Sequence, residues 1–114
     1  MLYDVRTYAC RPGTLKAHLA IYAEHGFAVQ KRHLGEPLAY LQTETGNVNS
    51  YLHIWVYRDA QDRSQRRAAL QADPEWVAFL KRSADAGYLV SQHNQLMTRV
   101  PFFTPAQQAA EQTP

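Results

Sequence analysis

Between Ser50 and Tyr57 the chain alternates two kinds of side chain: Leu52, Ile54 and Val56 against Tyr51, His53, Trp55 and Tyr57. With a period of two, these sets fall on opposite faces of one strand. A strand that packs an aliphatic face on a core normally turns plain polar residues to water on the other. Here the other face carries large rings with hydrogen-bonding tips, the residue types favoured at interfaces and in pockets. Something must cover that face, whether a second subunit, a small molecule or both. The aliphatic face is the expected helix-packing surface.

The rest of the chain supplies partners for this strand. Leu2 to Cys10 is rich in Tyr, Val and Thr and ends at Arg11-Pro12-Gly13, which predicts a first strand. Thr14 is placed to cap a helix with Leu15, Leu19 and Tyr22 on one face. Gly26 predicts a break, followed by a second helical piece from Phe27 to about His33, stopped by Gly35 and Pro37. Leu38 to Thr45 reads as a strand, with Gly46-Asn47 turning into the Ser50–Tyr57 strand. Asp59 and the Asp73-Pro74 pair each mark a helix start. Trp76, Phe79 and Leu80 are spaced to bury one face of the second of these helices, which Gly87 closes. Tyr88 to Val100 is the last strand.

This order predicts an α+β fold: a ferredoxin-like βαββαβ unit, with a four-stranded antiparallel sheet and helices on one face. One domain is expected over residues 1–105, with 106–114 a polar, disordered tail. Helices on one side leave the other sheet face bare. An exposed aromatic face of that size predicts a homodimer packed sheet to sheet.

Composition narrows the function classes. A net charge of +2 on 114 residues, with no basic run interleaved with aromatics, argues against a nucleic-acid partner. Cys10 is the only cysteine, which fits a reducing compartment, and charge at Asp4 and Arg6 interrupts any leader-like apolar stretch. No apolar run approaches the roughly 20 residues that span a bilayer. The expectation is a cytoplasmic protein without membrane insertion. No cofactor is expected from motifs, since there is no Gly-rich phosphate loop and no nucleophile elbow, although a single histidine could hold haem. The five histidines show no pair one helical turn apart, so no metal site is expected.

Several short strings, in order, resemble the NIPSNAP family. They are Tyr3-x-x-Arg6-Thr7-Tyr8, Pro12-Gly13, His53-x-Trp55-x-Tyr57, Arg66-Arg67, Asp73-Pro74-Glu75-Trp76 and Gln92-x-Asn94. The resemblance runs from Leu2 to Pro105 and implies a dimeric α+β barrel. Family members are mostly uncharacterised, with links to vesicle trafficking and mitochondria in animals. The wider barrel group includes cofactor-free monooxygenases and isomerases, an analogy of fold that carries no function by itself.

Candidate ligand-binding residues come from faces shared along the strands: Arg6 and Tyr8, then Tyr40 and Gln42 with Glu44, then His53, Trp55 and Tyr57, and last Gln92 and Asn94. One wet cavity lined by this set would suit a small, partly apolar metabolite. A polar layer between two sheets, with His53 paired across a dimer seam, is the competing reading. An enzyme that uses His53 as base on an aromatic or enolisable substrate is a second function class, with Arg6 or Asn94 stabilising the anion. A pure self-association module is a third. Arg63, Arg66 and Arg67 share one helix side; Asp59 sits four residues before Arg63 and Asp62 four before Arg66, which predicts a salt-bridged solvent face.

Overall fold

The strand singled out by its ring-and-aliphatic alternation lies inside the sheet. A computed structural model describes residues 1–105; the expected tail at 106–114 lies outside the described residues. The elements are β1 (Leu2–Cys10), α1 (Leu15–His25), α2 (Phe27–Leu34), β2 (Ala39–Gln42), β3 (Ser50–Tyr57), α3 (Ala60–Ala72), α4 (Pro74–Ala86) and β4 (Leu89–Thr98). All pairings are antiparallel, in the order β2-β3-β1-β4. β1 and β3 are therefore central, which is the ferredoxin-like arrangement expected.

Local chemistry accounts for most of the boundaries. The Asp59 carboxylate accepts from the Asp62 backbone N–H, and Asp73 accepts from that of Glu75, so both cap their helices. Gly87 ends α4 in the left-handed region (φ +68°), where a side chain would be strained. At Gly26, between α1 and α2, the reason is space. A Cβ there would stand 2.9 Å from the ring of Phe79 on α4, so glycine lets the two helix layers close. Thr14 departs from expectation: its hydroxyl donates to the Arg11 carbonyl at 2.7 Å and makes no cap. β2 is also shorter than expected, which leaves Glu44 in the loop to β3 and off the strand face. Leu80 is half exposed although Trp76 and Phe79 are buried.

The largest correction concerns the two faces of β3. Tyr51, His53, Trp55 and Tyr57 are all buried beneath the chain's own helices, and Leu52, Ile54 and Val56 line the open side. The core cluster joins Trp55 and Tyr57 to Tyr22, Val29 and Leu34 of the first helix pair and to Leu70, Trp76 and Phe79 of the second. Rings reach further than aliphatic side chains and fill the gap of about 10 Å between stacked layers. Their polar tips are tolerated there because most find partners inside the same chain. A dimer inferred from an exposed aromatic face thus loses that premise; the bare face is aliphatic along β3 and mixed across β1 and β4, where Thr7, His93 and Gln95 share it.

Candidate functional site

Strand register places the functional side chains in rows across the helix-facing side of the sheet. One row runs Tyr40, His53, Arg6, Asn94, and the row beside it Gln42, Tyr51, Tyr8, Gln92. On the other flank, Trp55 stands opposite Asp4. Above these rows lies a cavity of about 200 Å³ between sheet and helices. Of the side chains read from the sequence as ligand-binding, Arg6, Tyr8, Tyr40, His53 and Gln92 line it. The other five do not, and Glu44, off the strand, is one of them. Gln42 is exposed at its strand end, and Asn94, though partly exposed, donates to Asp4. Trp55 lies behind His53 and Tyr57 is buried further along β3.

His53 is held by its neighbour two residues on. The indole Nε1–H of Trp55 donates to His53 Nδ1 at 2.7 Å. An indole is a donor only, so Nδ1 must carry the lone pair and Nε2 the proton. Burial, reinforced by the positive charge of Arg6, pushes the His53 pKa down to about 3, and the nearby Asp4 only partly opposes this. The ring is a neutral donor through Nε2–H. That nitrogen is fully buried and has no partner among the described residues. The competing picture of His53 paired across a dimer seam does not hold, since its partner is an indole of the same chain. Nor does His53 have a free lone pair with which to act as a base.

Arg6 is set by the residues on either side of it in β1. Its Nε–H donates to the Tyr8 hydroxyl oxygen at 2.8 Å, and its Nη1 donates to Asp4 at 3.1 Å. Asp4 is fully buried and accepts three side chains: Arg6, Arg63 of α3 and Asn94 of β4. Burial alone would raise its pKa, but Asn94 and the two guanidinium groups outweigh burial and hold it below the usual carboxylate range. Asp4 was not among the residues read as functional, because nothing in the sequence near it signals a partner 59 residues away. The helical arginines also correct the sequence reading. Arg66 pairs with Asp62 at 2.9 Å as spaced, but Arg63 turns inward to Asp4 and Arg67 lines the cavity.

The helices supply the rest of the wall. His18 of α1 meets the Tyr51 hydroxyl at 2.8 Å, and burial lowers its pKa, so it is neutral as well. Tyr22 of α1 and Gln30 of α2 each turn a polar atom into the buried space without a well-formed hydrogen bond among the described residues. Trp76 and Phe79 of α4 close the top, their rings 4.9 Å apart. The i, i+4 pair His18 and Tyr22, and not Leu15 or Leu19, is the buried face of α1, and that spacing was the available signal in the sequence. The remaining three histidines serve elsewhere: His33 bonds to Asp73 at 2.8 Å, His25 sits beside Glu24, and His93 is exposed on β4. Among the described residues no cluster of three metal-ligating side chains forms, and no helix is long and apolar enough to cross a membrane.

Comparison with known proteins agrees with the fold. The NIPSNAP family profile matches residues 3–104. A NipSnap homologue of Dictyostelium discoideum is 34% identical over 82 residues, which is 72% of this chain and 36% of that protein. The chain thus spans about a third of that curated relative's length. A crystal structure of a NIPSNAP family protein of unknown function from Agrobacterium tumefaciens superposes with a TM-score of 0.82 at 37% identity, covering 90% of this chain and 91% of that one. An uncharacterised NIPSNAP domain protein from Burkholderia xenovorans gives 0.84 at 28% identity, covering 92% and 100%. With the profile matched over nearly all the described residues and the same sheet and helices in these structures, the chain belongs to the NIPSNAP family.

Proposed function

We propose that this NIPSNAP-family protein is a homodimer in which each protomer holds a small, partly apolar metabolite in the cavity between its own sheet and helices. The observation that carries the binding reading is His53, a residue that lines the cavity and whose buried Nε2–H, fixed as the protonated nitrogen by Trp55, has no partner among the described residues. Leaving such a group unsatisfied costs about 1–3 kcal/mol, a penalty that a ligand acceptor removes. Binding fits this geometry better than catalysis by His53, which has no lone pair to accept a proton.

The dimer rests on a different face from the one the sequence suggested. Val5, Leu52, Ile54 and Val56 line the open side of the sheet, where no helix among the described residues covers them, and Leu41 and Met97 extend that apolar surface toward its edges. A second copy packed face to face would bury this patch on both sides at once, as two-fold symmetry allows.

Native mass spectrometry of the purified protein tests both parts. The expected spectrum is a dimer at micromolar concentration carrying a retained small molecule, and Ile54→Lys is expected to give folded monomer. A wild-type monomer under the same conditions sinks the dimer. For the site, His53→Phe is expected to lose the retained molecule, while His53→Gln, which can present an amide N–H near the same place, keeps part of it. Equal retention by wild type and His53→Phe would mean that His53 contacts no ligand.

A further inference from the structure

The groups facing the cavity have a chemical bias. Its lining includes two guanidinium groups, Arg6 and Arg67, and no Asp or Glu. Asp4, two residues before Arg6 on the same face of β1, does not line the cavity and is shared among Arg6, Arg63 and Asn94. Arg67 of α3 pairs with no carboxylate among the described residues and is half-buried, so the cavity carries an uncompensated positive charge. Both lining histidines are neutral, as shown above, and contribute no charge of their own.

The hydrogen-bonding bias points the same way. His53 offers Nε2–H. The Tyr8 hydroxyl oxygen accepts from Arg6 Nε, which leaves its own proton to donate elsewhere. Arg6 uses Nε and Nη1 within the protein and keeps further N–H groups in reserve. Donors therefore outnumber acceptors on the sheet side. Aromatic rings make up much of the sheet-side wall as well: Tyr40, His53 and Tyr51 lie nearly parallel to one another, with interplanar angles of 15–21°. The volume, about 200 Å³, lies below that of pockets for drug-sized molecules and suits one ring with a few substituents.

We propose that the ligand is a small, flat, ring-bearing acid whose carboxylate is held by Arg67 and Arg6 with His53 donating, and whose ring lies against the aromatic Tyr40–His53–Tyr51 wall. This rests on the binding reading above and names the ligand class for that site. Arg67 sets the preference for an anion. His53 and Tyr8 orient the acid, and the aromatic wall selects against bulky aliphatic acids of the same charge.

Isothermal calorimetry with benzoate, benzamide and pivalate separates these claims, because benzamide keeps the shape without the charge and pivalate keeps the charge without the flat ring. Wild type is expected to bind benzoate at least about tenfold more tightly than either, the discrimination expected of a charge-assisted hydrogen bond or a shaped apolar wall. In Arg67→Gln the preference for benzoate over benzamide is expected to collapse, while benzamide binding persists and shows the cavity intact. Benzamide binding as tightly as benzoate to wild type would overturn the anion assignment and leave the pocket reading standing. A preference for benzoate undiminished in Arg67→Gln would overturn the role of Arg67. Pivalate binding as tightly as benzoate would overturn the flat-ring requirement. No binding of any probe by the folded dimer would overturn both the ligand class and the pocket reading.

Discussion

Replacing Trp55 with Ala is expected to destabilise the protein by about 3–5 kcal/mol, the usual cost of truncating a large buried aromatic. Trp55 is fully buried within the core cluster, and its indole N–H is bonded to His53. Chemical denaturation of wild type and variant measures the loss, and a value below about 1 kcal/mol would contradict the packing described. Trp55→Phe isolates the second role. It retains most of the ring but removes the donor that fixes His53 as the Nε2–H form. Long-range ¹⁵N correlation spectra are expected to report a single Nε2–H tautomer in wild type and a mixture in Trp55→Phe. A mixture already present in wild type would remove the reason for treating His53 as a fixed donor.

Asp4→Ala is expected to cost about 3 kcal/mol, because removing one member of a buried ionic cluster leaves the others charged and unpaired. The low end of the usual range applies, since Arg6 and Arg63 keep some exposure and can partly rehydrate. The pH dependence has a definite sign. Asp4 titrates lower in the folded protein than in the unfolded chain, so its stabilisation is complete above the unfolded carboxylate value of about 3.9. It is lost as pH falls through the lower folded value. Wild type is therefore expected to lose stability on acidification below about pH 4, and Asp4→Asn to lose less over the same interval. Denaturation curves collected across that interval decide it, and parallel slopes for the two proteins would show that Asp4 is not the group responsible.

The two predictions meet at one place in the sheet. Trp55 and Asp4 are cross-strand neighbours on β3 and β1, and each fixes one side chain of the adjacent row, His53 and Arg6. Core stability and the geometry of the cavity are thus coupled through two pairs. Variants at Trp55 or Asp4 are expected to alter ligand affinity without either residue touching the ligand.

Much of this was determined by the sequence alone, and for local reasons. Period-two alternation marked β1 and β3, capping residues Asp59 and Asp73 started α3 and α4, and Gly26 and Gly87 marked the break and the stop. The same alternation grouped Arg6 with Tyr8, and His53 with Trp55 and Tyr57, on single faces, because side-chain direction along a strand depends only on the backbone. Alternation is symmetric, however, and does not say which face meets the helices. Tertiary structure decided that: the rings of β3 turned inward because His18 and Trp76 of the helices pack on them or pair with their tips, while the aliphatic side was left open. It also turned Arg63 away from the solvent face that its spacing from Asp59 suggested, and brought Arg67 to the cavity. A buried carboxylate at Asp4 and a polar cavity attracted the guanidinium groups more strongly than an exposed i, i+4 pair, which contributes only a few tenths of a kcal/mol. Contacts between residues 33 or 59 positions apart in the chain, such as His18 with Tyr51 and Asp4 with Arg63, exist only once the layers have closed.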